Sequence, residues 1–337
     1  MTRRWTAIAL TLAASLPAAS HALAWGSTGH RIIGQLGVAT LPDQVPGFLR
    51  SPEAVAAIGE LAREPDRWRK AGEPHDHMRD PGHFLDLDDS GKVLGGPALT
   101  ALPTQFNDYE TALRAAGSDT SKAGWLPYSI VDGWQQLTKD FTYWRMESVA
   151  VARETNPARK AWLTADLKTR EALTIRDLGV WAHYVGDASQ PMHVTVHYNG
   201  WGPFPNPNGF TDQHVHEPFE GAFVRQFVTE DAVRAAMPAP RDCAEIWACT
   251  ERYLGETAST VVPFYQMEKA GGMAGAHPAG VDFATQRVAA AAAALRDMIV
   301  SAWQASANGA LGYKPVITVD QVVNGGVDPY DALYGDD

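Results

Sequence analysis

Two histidine–carboxylate pairs stand four residues apart in this chain, His183 with Asp187 and His216 with Glu220. On a helix that spacing puts both side chains on one face, one turn apart. An imidazole nitrogen and a carboxylate oxygen can then reach one metal ion. The first pair lies in the run Trp181-Ala-His183-Tyr-Val-Gly-Asp187-Ala-Ser-Gln-Pro191-Met-His193. Pro191 must end that helix, which leaves His193 on the exit turn. In the second pair Pro218 falls near a helix start, where it is tolerated. Upstream, Asp66 sits in Glu-Pro-Asp-Arg-Trp-Arg and His83 in Gly-His-Phe-Leu-Asp.

The start of the chain adds two more donors. Residues 1–24 read as a secretory signal: Arg3 and Arg4 are basic, Ala7 to Ala14 are mostly apolar, and Ala22-Leu23-Ala24 offers a small-residue cleavage site. The alternative is an uncleaved anchor. Ser15, Pro17, Ser20 and His21 interrupt the apolar run, which falls short of the ~20 apolar residues a span needs. Cleavage after Ala24 makes Trp25 the N-terminus, so its amine and carbonyl can chelate a metal, with His30 five residues on.

Each residue alone is weak, because a lone histidine is more often a core or surface residue and an Asp-x-x-Arg is usually an exposed ion pair. Nine candidates together (Trp25, His30, Asp66, His83, His183, Asp187, His193, His216 and Glu220) are too many for one tetrahedral site and suit three. Imidazole, carboxylate and amine without thiolate fit catalytic zinc. His214 is set aside because the residue four on is Pro218; His75 and His77 lie in a loop, and His197 and His277 have no partner at useful spacing.

The elements that must position these residues are mostly helical. Helix-period apolar patterns cover 29–39, 53–70, 129–151, 158–187 (as one helix or two), 214–236 and 282–306. Strand-like alternation is weak and confined to Val316–Val323. Residues 71–101 and 198–213 are rich in Gly, Pro, Asp and Asn and read as loops. The expectation is an all-α chain: a signal over 1–24, one hydrolase domain over 25–309 and an irregular acidic tail over 310–337.

The chain has 28 basic and 39 acidic side chains, and removal of residues 1–24 would bring the net charge from −11 to −13. That argues against a broad basic face holding duplex DNA by counterion release. It leaves a phosphate substrate open, since bound divalent ions would dominate their own site. Cys243 and Cys249 are expected to pair in an exported protein; two buried thiols are the alternative.

The order Trp…His…Asp…His…His-x-x-x-Asp…His…His-x-x-x-Glu resembles the superfamily that joins zinc-dependent phospholipase C with the single-strand-specific type I nucleases. The resemblance covers Trp25 to Glu220, and His-Tyr-Val-Gly-Asp-Ala-Ser-Gln-Pro-Met-His is close to its central signature. It implies three Zn2+ ions. One would be held by Asp66, His83, His183 and Asp187. A second would be held by Trp25, His30 and a bridging Asp187. A third, more exposed, would be held by His193, His216 and Glu220. It also implies that Asp66 orients the attacking water, Arg69 contacts the phosphate, Phe84 stacks a nucleobase and Asp86 bonds the base edge.

The close spacing of Trp25 and His30 and the long gap from His193 to His216 are nuclease-like; Glu220 and Phe-Glu-Gly-Ala-Phe lean to the phospholipases. The favoured expectation is an exported (periplasmic or released), monomeric endonuclease acting on single-stranded RNA and DNA, without stable membrane insertion. A phospholipase C recognising a lipid headgroup is the alternative, and a non-catalytic zinc-binding module the second.

Overall fold

A computed structural model describes residues 25–334. The signal reading of residues 1–24 lies outside them. The fold is all-α, as expected, with one short hairpin as its sheet among the described residues.

The helices that carry the argument are α1 (Ser27–Ala39), α2 (Pro52–Leu61), α3 (Glu64–Trp68), α4 (Leu126–Arg153), α5 (Pro157–Asp187), α6 (Ile246–Ala258) and α7 (Pro278–Ala305). α4 and α5 form the central antiparallel pair. α1 packs between α2 and α7, and α7 also crosses both central helices. Burial of apolar stripes from all of these makes one continuous core. The α4–α5 contact is tight: a Cβ placed at Gly133 would fall 2.0 Å from the Trp181 ring, so only glycine lets that indole in. Trp181 then donates its Nε1–H to the Ile130 carbonyl at 2.8 Å.

Residues 157–187 form one helix, started by Asn156, whose side chain caps the amides of Ala158 and Arg159. Two expected helices break. The 53–70 run splits after Leu61, because Pro65 cannot donate to the preceding turn. The 214–236 run divides into a π-helical turn at Pro218–Phe223, a helix Val224–Phe227, an extended Val228, and a helix Glu230–Ala236 capped by Thr229.

The 310–337 segment, expected to be irregular, is ordered over its described part. Ala310–Leu311 (β1) pairs antiparallel with Ile317–Thr318 (β2), and a helix follows at Val319–Val323 with a capping box from Thr318 and Gln321. Leu311, Ile317, Val319 and Val322 pack on Met146 of α4 as a second small core. Their weak apolar density explains the difference. Cys243 and Cys249 form the expected disulfide. No helix among the described residues is long and apolar enough to cross a membrane.

Candidate metal centre

α5 ends at Asp187, four residues before Pro191, which instead starts the short 3-10 turn Pro191–His193; the last turn of α5 delivers His183 and Asp187 into the core. Gly186 between them lets α1 approach: a Cβ there would stand 3.1 Å from His30 Nδ1. Behind this layer Trp25 is fully buried and donates its indole N–H to the Gly186 carbonyl (2.9 Å) and Ser189 Oγ (2.8 Å). The Gly26 amide donates to the Glu220 carbonyl at 3.1 Å. The Trp25 backbone is thus fixed between the end of α5 and the Pro218–Phe223 turn.

Three groups of donors gather around these elements: His30 with Asp66 and His183, His83 with His183 and Asp187, and His193 with His216 and Glu220. In the middle group His83 Nδ1 lies 2.9 Å from His183 Nε2 and 3.0 Å from Asp187 Oδ2; His183 Nε2 lies 3.3 Å from that same oxygen. Donors ~2.0–2.2 Å from a tetrahedral zinc are spaced about 3.3 Å from one another, so this triangle fits an ion. Asp187 faces two ways. Its Oδ2 belongs to this triangle, while its Oδ1 lies 3.4 Å from His30 Nε2. Asp66 Oδ1 stands 3.9 Å from His183 Nε2, within reach of both neighbouring groups. Glu220 Oε2 lies 2.8 Å from His216 Nε2 and 3.7 Å from His193 Nε2.

Several of these atoms have no other use. Both ring nitrogens of His30, both of His216, His193 Nε2, Asp187 Oδ1 and Glu220 Oε1 are buried without a hydrogen-bond partner. The 2.8 Å approach of His216 to Glu220 is itself misaligned for a hydrogen bond, since that Nε2 is among the orphans. Buried polar atoms are ordinarily satisfied, and so many orphans in one place are compatible with a bound cation. The remaining nitrogens are oriented from behind. His183 Nδ1–H donates to the Ala62 carbonyl (2.8 Å) and His193 Nδ1–H to the His83 carbonyl (2.6 Å). Each bond leaves Nε2 as a lone pair aimed inwards.

Electrostatics agree with a ligand role. Burial, with the neighbouring histidines and Arg69, holds His30 and His83 well below the ordinary imidazole value; burial does the same to His183 and lowers His193. Neutral imidazole is the form that binds metal. Burial drives Asp187 well up and Asp66 to about 6, against the pull of Arg69. For Glu220 the cost of burial is outweighed by His216 and His193, and its carboxyl falls to about 2.

The structure differs from expectation in two respects: Asp66 groups with His30 and His183 rather than with His83 and Asp187, and the His193–His216–Glu220 group is no more exposed than the others, with side chains 3%, 5% and 0% exposed. The π-helical turn tucks Glu220 inwards, where Gln190 Nε2 donates to its Oε2 at 2.8 Å. Arg69 lies beside the centre, its Nε 3.3 Å from Asp66 Oδ1 and its side chain 11% exposed. Phe84 and Asp86 follow His83 on an extended segment whose other face buries Leu85 and Leu87. Phe84 is half-buried against Gly124, and the Asp86 carboxyl is raised by desolvation. Neither is a member of the three donor groups.

Sequence reasoning missed the second layer. Ser189 and Gln190 orient Trp25 and Glu220; their signal was their place between Asp187 and His193. His197, left without a partner at useful spacing, donates from Nδ1 to the Trp201 carbonyl (2.7 Å) and meets Asp89 Oδ1 at 2.8 Å through Nε2. It lies outside the three groups, as anticipated, as do His75, His77, His214 and His277. A scan against protein-family models and a search of the curated proteins found no match to this chain.

Proposed function

We propose that this chain is an exported, monomeric, zinc-dependent phosphodiesterase, most active on single-stranded RNA and DNA. The observation that carries the reading is the cluster of orphaned, desolvated imidazole and carboxylate atoms in three adjoining groups with Arg69 at their edge. His30, His83, His183, His193, His216, Asp66, Asp187 and Glu220 would hold the ions, with the amine and carbonyl of Trp25 joining once residues 1–24 are removed. Zinc in such a centre supplies Lewis acidity and an acidified water near neutral pH.

The protein's own groups do the rest. Asp66 is the most exposed of the donors. It stands where it can accept a hydrogen bond from the attacking water and hold it in line. Arg69 pairs with the phosphoryl oxygens and offsets charge that grows there. Phe84 offers a ring to a base with little sequence preference. The cleft that leaves Asp66 and Glu220 is lined by Gly, Ser, Thr, Arg and Glu, with no aliphatic or aromatic side chain. That lining suits a polyanion better than the acyl chains of a phospholipid. The disulfide fits an oxidising compartment.

The test uses protein beginning at Trp25 and loaded with zinc, offered single-stranded RNA and phosphatidylcholine with and without a chelator. Cleavage of RNA that the chelator abolishes is expected. Lipid hydrolysis with intact RNA would establish the phospholipase alternative. No turnover of either by fully loaded protein would leave a zinc-binding module.

A further inference from the structure

The cleft beside the metal centre is larger than one phosphate requires. It encloses about 310 Å³ between the start of α1, the Arg63–Arg67 corner and the Glu217–Gly221 turn, with the donors Asp66 and Glu220 in its lining. Three arginines line it: Arg63, Arg67 and Arg225. Arg67 is tied to Glu60 and Glu64. Arg63 donates Nη1 to Glu60 at 2.7 Å, but its Nε is buried without a hydrogen-bond partner. Arg225 is exposed and makes no hydrogen bond or ion pair among the described residues. The remaining acid in the lining, Glu217, is exposed on the rim.

The start of α1 adds to this field. Its cap is Gly26, no side chain caps it and its first turn holds no acid. Ser27 and Thr28, whose amides are unpaired by helix geometry, line the same cleft. Fixed amide donors and two arginines with spare donors therefore converge on a space contiguous with the hydrolytic centre.

We propose that this cleft is a second phosphate subsite, in which Arg225 and Arg63 hold the phosphodiester next to the scissile one. The inference rests on the nuclease reading and adds to it that the enzyme prefers longer strands to dinucleotides. Arg225 supplies the charge and the α1 amides supply direction.

The test is fluorescence anisotropy of zinc-loaded protein with labelled, hydrolysis-resistant phosphorothioate thymidine oligonucleotides, a tetranucleotide and a dinucleotide. Wild type is expected to favour the tetranucleotide. Arg225→Gln should weaken tetranucleotide binding roughly tenfold, the loss of one charge-assisted contact, and affect the dinucleotide much less. The slope of log affinity on log salt should drop by about 0.7, and Arg225→Lys should restore it. Tetranucleotide binding untouched by Arg225→Gln, or equal weakening of both ligands, overturns the subsite alone. Wild-type protein that binds neither oligonucleotide overturns the nuclease reading, and the subsite with it.

Discussion

Asp187 is the residue on which the centre turns. One of its oxygens faces His83 and His183 and the other faces His30, so it joins two donor groups. Without a cation beside it, burial lifts its carboxyl far above the ordinary range. A divalent ion reverses that preference and keeps it ionised. Asp187→Asn is therefore expected to lose roughly two metal equivalents, and His193→Ala roughly one, because His193 belongs to a single donor group. Elemental analysis of the two purified variants checks this, and equal losses would contradict the bridge. His183, Asp187, His216 and Glu220 were legible in the sequence because four-residue spacing is a local signal. Their partners were not: His183 donates to the Ala62 carbonyl across 121 positions, and no spacing rule reaches that far.

Among the elements, the α4–α5 interface holds both the geometry and a weakness. Glu147 of α4 is fully buried, and neither carboxyl oxygen has a hydrogen-bond partner. Its nearest cation is Arg170, 3.7 Å away. Burial, reinforced by Asp166, pushes its carboxyl up to about 9. The folded protein thus keeps a proton that the unfolded chain releases near pH 4.5. Stability from this group is full below that pH and declines as pH rises towards 9. Glu147→Gln should match wild type at about pH 5 and melt higher at about pH 8, by ~2–4 °C for each kcal/mol recovered. Thermal melts across that range decide it, and a gap that does not widen with pH would contradict the account.

The long helices were readable because their inward positions are apolar. α6 escaped because two of its inward positions are Thr250 and Thr257, which hide their hydroxyls on backbone carbonyls four residues back. The break before Pro65 was signalled by the proline, but the extended Val228 and the π-helical turn that tucks Glu220 inwards were not.

At the scale of the whole molecule, the chain brings Trp25, the end of α5 and the Glu220 turn into one buried layer from positions nearly 200 residues apart in sequence. The α-helical class and most donors could be read in advance. The cleft with Arg63 and Arg225 could not, because it exists only where three distant segments meet. The N-terminal layer gives its own prediction. One extra residue before Trp25 turns its amine into an amide and should lower metal content by roughly one equivalent, since an amide nitrogen is a poor ligand beside His30. Undiminished metal in that protein would remove Trp25 from the centre.

The most direct test of the whole account is the metal content of protein beginning at Trp25, purified with ample zinc and dialysed. Mass-spectrometric counting should find three tightly held zinc ions per molecule, one for each donor group. One ion or none would contradict it.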